Sequence, residues 1–215
     1  MKIGVLGSGD VGRSLGLGFA SHGHDVVIGT RHPDKPELAE WKKKVGKHGS
    51  VGSFSDAAAH GEVLVLAVMG QAAEAVIDLA GPKRLEGKVL IDVTNPLDFS
   101  SGMPPGLFVG TTDSLAERIQ RKVPKAKVVK SFNIVSNETM ITPTMKDGTP
   151  DMIIAGNDAG AKGTVADLLR EFGWGEPIDI GGIDGARWLE AWVPLWVRLA
   201  STLKSWNVAM RVLRS

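Results

Sequence analysis

The sequence predicts a doubly wound α/β fold with a mostly parallel sheet and a small helical extension at its C-terminal end. Three observations carry that expectation. Short β-branched runs alternate with helical stretches as far as Gly173. One run, EVLVLAVM (62–69), is continuously apolar, as a central parallel strand covered on both faces must be. From Gly185 the texture changes to one long helical pattern rich in tryptophan.

The elements follow in order. KIGVL (2–6) reads as a buried strand and residues 11–22 as the helix after it. DVVIG (25–29) is the second strand, PELAEWKKKVGKHG (36–49) a polar-faced helix closed by glycine, and SVGSF (50–54) a third strand. Ser55 stands where a cap would start the short helix SDAAAHG, which Gly61 ends. After the central strand come the crossover helix QAAEAVIDLA (71–80), the strand KVLIDVT (88–94) and a loop, SSGMPPG (100–106). A helix over 112–123, the strands KVVKSF (127–132) and DMIIAG (151–156), and a helix over 157–173 complete the pattern. Strand–helix–strand succession with right-handed crossovers builds an open sheet with helices on both faces. Beyond it, apolar residues at 188, 189, 192, 195, 196, 199 and 203 form a wide helical stripe, with Pro194 as a candidate kink. The expected division is a domain over 1–183 and an extension over 184–215. The extension packs either on that domain or against a second subunit, and a homodimer is expected.

Composition narrows the function. Twenty-five Lys and Arg against 24 Asp and Glu leave a formal charge of +1, so nothing marks a nucleic-acid or membrane-surface partner. The absence of Cys excludes disulfides, thiolate catalysis and Cys-ligated metals, and no metal site is expected. The absence of Tyr removes Tyr–Lys dehydrogenase chemistry. The chain leads straight into an apolar strand without a signal-peptide layout. No apolar run reaches the roughly eighteen residues of a membrane span, so a cytoplasmic protein is expected.

GSGDVG (7–12) follows a strand and opens a helix, the context in which a GxGxxG spacing becomes a dinucleotide loop. Gly7 permits the tight turn, Gly9 lets the backbone approach a pyrophosphate, and Gly12 lets helix and strand pack closely. Ser8, Asp10 and Val11 complete the loop, whose helix N-terminus favours phosphate. About twenty residues later an NAD site carries Asp or Glu to hold the ribose hydroxyls. Here the second strand ends in Gly29 and continues Thr30-Arg31-His32, with Lys35 close behind. A hydroxyl and a guanidinium suit a 2′-phosphate, so the expected cofactor is NADP(H). Further strand ends add Ala67, Val68 and Met69, then Asn95 and Pro96, then Asn133. Met69, Asn95 and Asn133 are expected to position the reacting ring, although either asparagine also reads as an ordinary turn residue.

General acid–base residues are scarce where a substrate would lie. All five histidines, at 22, 24, 32, 48 and 60, fall in the cofactor half. A ketone or alcohol needs a proton donor or acceptor beside its oxygen. A flavin or deazaflavin ring spreads the charge of an incoming hydride internally, so positioning suffices.

With these residues in view, the chain resembles the coenzyme F420-dependent NADP oxidoreductase family, and in the same regions the ferric-reductase domains of some membrane haem proteins. The resemblance lies in VLGSGDVGRSLGLGFASHGHDVVIGTR, LVLAVM, VLIDVTNPL and ARWLEAWVPLWVRLA, which together span nearly the whole chain. It implies a Rossmann-like domain, commonly dimeric, holding NADP(H) through Gly7, Ser8, Gly9, Asp10, Val11, Gly12, Thr30 and Arg31. It also implies a histidine near Asn133 in members that use the deazaflavin, whereas this chain reads SFNIVSN. The expected function is hydride transfer between NADP(H) and coenzyme F420 or a flavin-type acceptor, with no catalytic acid or base named. Two other readings stay open: a non-catalytic NADP(H)-binding redox sensor, and an imine or ketone reductase drawing a proton from water or from a group such as Ser136 or Thr139.

Overall fold

Buried aliphatic runs of four or five residues set the strands, and glycine turns at their ends set where the chain leaves the sheet. In the computed structural model, which describes residues 1–213, β1 (Lys2–Leu6) leads into α1 (Asp10–Ser21) and β2 (Asp25–Gly29) into α2 (Pro36–Val45). β3 (Gly49–Gly52), α3 (Phe54–His60), β4 (Val63–Leu66), α4 (Ala73–Ala80) and β5 (Val89–Asp92) follow. A short ribbon of β6 (Leu97–Asp98) and β7 (Gly106–Leu107) precedes α5 (Leu115–Lys122), β8 (Lys127–Lys130) and α6 (Asn137–Ile141). β9 (Ile153–Gly156), α7 (Ala159–Glu171), β10 (Ile178–Asp179) and α8 (Ala186–Leu203) complete the chain.

The sheet runs β3-β2-β1-β4-β5-β8 in parallel. β9 then joins β8 antiparallel, and β10 joins β9 parallel. This is the Rossmann order, whose winding reverses between β1 and β4. One face is covered by α1, α2 and α7 through Leu15, Phe19, Trp41 and Leu168. The other is covered by α3, α4 and α5 through Phe54, Ile77 and Ile119. α8 contributes Leu189 to the first cluster and Ala186 to the second, so it packs across the boundary between them. Among the described residues no helix is long and apolar enough to cross a membrane.

Four local expectations are corrected. The helix expected over 36–49 stops at Val45, because Gly46 turns to φ 58 and Gly49 begins β3. A Cβ on Gly49 would stand 2.2 Å from Val45 Cγ2, so glycine is what lets β3 pass beneath α2. Ser53, not Ser55, caps α3: its hydroxyl accepts from Asp56 N–H while Asp56 accepts from Ser53 N–H, a reciprocal capping box. The loop expected over 100–106 is present as the tip of the β6–β7 ribbon, and only its end is corrected, because Gly106 already belongs to β7.

The fourth correction concerns α8. Its buried stripe is Ala186, Leu189, Glu190, Val193, Val197 and Ala200. Of the stripe expected from hydrophobicity, Trp188, Leu195 and Leu203 are 64%, 50% and 61% exposed. The reason is Glu190, a charged residue on the inward face, which an apolar pattern assigns to solvent. The helix continues through Pro194, which has no N–H to donate to the Glu190 carbonyl.

The capping correction is directly testable. Ser53→Ala should lower unfolding free energy by about 1 kcal/mol in urea titrations, and Ser55→Ala by less than about 0.5 kcal/mol. Equal losses would place the cap elsewhere.

Candidate cofactor site

The site starts where β1 ends. Gly7 has φ 140, and a Cβ there would lie 2.1 Å from the Ala67 carbonyl oxygen. A Cβ on Gly12 would lie 2.2 Å from the Gly7 carbonyl oxygen. Gly9 differs: a Cβ there meets nothing within 4 Å, because the space beside it is open cavity. Gly9 is also the N-cap of α1 and offers no side-chain cap, so the first-turn amides have no side-chain acceptor. Arg13 pairs with Asp10 and donates to the Ser8 carbonyl at 2.8 Å, which offsets the one negative charge in that turn. The three glycines thus fit a pyrophosphate in size and charge.

Gly7 N–H donates to the Gly29 carbonyl at 3.1 Å, which sets the end of β2 beside the glycine loop. Thr30 is buried, and its hydroxyl lies 2.9 Å from Ser8 Oγ and accepts from His32 N–H. Arg31 and Lys35 line the same cavity of about 580 Å³, and neither forms an ion pair among the described residues. Among the described residues that line this cavity the one carboxylate is Asp10, which belongs to α1 and not to the end of β2.

The cavity continues past Ala67, Val68 and Met69 at the end of β4 to Thr94 and Asn95 beyond β5. Phe99, at the ribbon, and Met69 are exposed apolar groups at this end. Asn95 and Asn133 form a reciprocal pair: Asn95 Nδ2 donates to the Asn133 carbonyl at 3.0 Å, and Asn133 Nδ2 donates to Asn95 Oδ1 at 2.9 Å. Phe132 holds φ 64, an unusual conformation for a bulky residue, and turns the chain from β8 into that pair. Asn133 Oδ1 is buried without a partner.

Gly7, Ser8, Gly9, Asp10, Val11, Thr30, Arg31, Lys35, Ala67, Val68, Met69 and Asn95 are therefore gathered around one cavity. Gly12, His32, Pro96 and Asn133 do not line it. Gly12 packs under the loop, His32 supplies a backbone donor to Thr30, Pro96 is buried, and Asn133 stands behind Asn95. Ser136 caps α6 and its hydroxyl meets Thr139 Oγ1 and Asn207, so neither Ser136 nor Thr139 reaches the cavity.

Sequence reasoning passes over Phe54, Gln71, Thr94 and Phe99, which also line the cavity. It also passes over a buried ionic group behind it. Lys130, fully buried, donates to Asp92 at 3.0 Å, to Glu190 at 2.9 Å and to the Thr94 carbonyl. Burial alone would push the Lys130 ammonium down, but Asp92 and Glu190 outweigh it and hold it above the ordinary lysine range. The available signal was polar: Asp92 ends an otherwise apolar strand, and Lys130 ends β8, whose other lysine, Lys127, is exposed.

A glycine loop at a strand-to-helix turn of a Rossmann sheet, with Arg31 and Lys35 forming no ion pair among the described residues at the end of β2, marks the class as an NADP-dependent oxidoreductase domain. The particular family is settled by comparison. Residues 2–96 match the family model described as "NADP oxidoreductase coenzyme F420-dependent". The F420-dependent NADP reductase of Methanocaldococcus jannaschii is 30% identical over 99% of this chain and 98% of its own length. A crystal structure from Arthrobacter sp. FB24, whose proposed assignment is an F420 dependent NADP-reductase, is 41% identical with a TM-score of 0.95 over the whole of both chains. Rat Metalloreductase STEAP3 is 33% identical over 96% of this chain, which spans 38% of that longer protein. The chain belongs to the F420-dependent NADP oxidoreductase family.

Gly9→Ala isolates the cradle from the fold, because its methyl enters open space. Thermal unfolding should be unchanged within a few degrees while NADPH affinity falls about tenfold or more. Full affinity with a wild-type fold would show that no phosphate lies against Gly9.

Proposed function

We propose that the protein transfers hydride between NADP(H) and a ring acceptor of the deazaflavin (coenzyme F420) or flavin type. One observation carries this reading: the cavity is cationic at one end and lacks a proton donor at the other. Its titratable lining groups are Asp10, Arg31 and Lys35, all in the segments that flank the phosphate loop and the end of β2. At the far end the Thr94 hydroxyl donates to Asp92 at 2.6 Å, so its proton is already committed. Met69, Leu97 and Phe99 supply apolar surface there, suited to flat rings stacked face to face.

In this reading the α1 N-terminus and Gly7–Gly12 hold the pyrophosphate, and Thr30, Arg31 and Lys35 hold the 2′-phosphate. Asn95, fixed by Asn133, orients the nicotinamide end against Met69. When bound, NADP(H) would supply the hydride, and a ring acceptor would receive it together with a proton from water. The protein's own contribution is to align the two rings and exclude solvent between them. The names of the archaeal relatives support coenzyme F420 as the acceptor. Asn133, where the resemblance implies a histidine, keeps a flavin within the same proposal. The exposed apolar side of α8, with Trp188, Leu195 and Leu203, supports a homodimer.

Stopped-flow mixing of the protein and NADPH with oxidised coenzyme F420, FMN and FAD should show oxidation of NADPH by at least one of them. NADPH that binds but is never oxidised by any ring acceptor would instead indicate a redox sensor. Arg31→Glu tests the cofactor assignment separately. It should weaken NADPH by at least about 1.5–3 kcal/mol, the value of one charge-assisted contact, and leave NADH affinity unchanged or improved. Equal loss of both cofactors would mean that Arg31 does not meet the ribose phosphate.

A further inference from the structure

Three charges sit in the driest part of the molecule, and no step of the proposed reaction uses them. Asp92 and Lys130 are cross-strand partners at the carboxyl ends of β5 and β8, both fully buried. Glu190 reaches them from the inward face of α8, and its two oxygens also accept the N–H groups of Leu115 and Ala116 in the first turn of α5. Burying such a group in place of packed hydrocarbon gives little stability or costs some, so its presence asks for another reason.

What the group grips supplies one. Every polar atom of Thr94 is engaged: its N–H and hydroxyl donate to Asp92 Oδ1 at 2.9 and 2.6 Å, and its carbonyl accepts from Lys130. The next residue, Asn95, is clasped by Asn133, whose Nδ2 also donates to the carbonyl of Leu189, the neighbour of Glu190 on α8. Thr94 and Asn95 line the cavity, whereas Lys130, Asp92 and Glu190 do not. The ionic group therefore holds the floor of the cavity's far end from behind, and it ties that floor to α5 and α8.

We infer that Lys130 is a positioning residue that acts through Thr94 and Asn95 to shape the nicotinamide end of the site, without influence on the adenosine end. This rests on the reading of the cavity as an NADP(H) site. It separates two functions by location: Arg31 decides which dinucleotide binds, and Lys130 decides how its reactive end is presented.

The test compares two ligands by titration calorimetry: NADPH, which spans the cavity, and adenosine 2′,5′-bisphosphate, which occupies the adenosine end alone. In Lys130→Met, which keeps an unbranched side chain one atom shorter and removes its charge, NADPH affinity should fall about tenfold or more while the bisphosphate stays within about twofold. Lys130→Arg should recover part of the NADPH loss. If Lys130→Met does not fold, the same split is expected in Thr94→Val and Glu190→Gln. A purely structural role would lower both affinities together or neither, and either result in a folded variant overturns the inference. Wild-type protein that binds neither ligand would instead refute the NADP(H) reading itself.

Discussion

The winding of the sheet reverses between β1 and β4, and the rest of the site depends on that constraint. From β1 the chain crosses to β2 through α1 on one face; from β3 it reaches β4 through α3 on the other. No helix can cover the gap at the carboxyl ends of the two strands. Everything the cofactor would touch is delivered there by a strand ending: the glycine loop after β1, Thr30 and Arg31 after β2, Met69 after β4, and Thr94 and Asn95 after β5. A rigid sheet thus places groups from distant parts of the sequence around one cavity with little freedom to drift.

Within that crevice, charge is partitioned along its length. The glycine-loop end offers amides without a side-chain cap, an Asp10 paired with Arg13, and two cations that form no ion pair among the described residues. The opposite end offers hydrocarbon, one amide side chain and a hydroxyl already bonded. Such a surface favours a ligand with its phosphates at one terminus and a flat ring at the other. Among the described residues that line the apolar end none is titratable, which suits the proposed transfer between two rings.

How much of this is legible in the sequence depends on whether the information is local. Strand and helix alternation is local, and so is the GxGxxG spacing with its missing downstream acid; these give the sheet, the loop and the expectation of Arg31. The capping serine is misplaced by two residues because Ser53 and Ser55 both stand just ahead of the alanine run at 57–59, and only the return bond from Asp56 chooses between them. The inward face of α8 is misjudged because its key residue is a glutamate. Glu190 is paired with a lysine 60 residues away, a partnership that no period along one helix can report. The Asn95–Asn133 clasp likewise joins residues 38 apart, and it needs Phe132 in a left-handed turn that nothing in its residue type announces.

The central claim is electrostatic: the end of β2 is built to accept a phosphoryl group. The most direct measurement is a side-by-side calorimetric titration of the wild-type protein with NADPH and NADH, which differ at that one position. The account requires NADPH to bind at least about tenfold more tightly, with an advantage that shrinks as salt is raised. Equal affinities, or a preference for NADH, would contradict it.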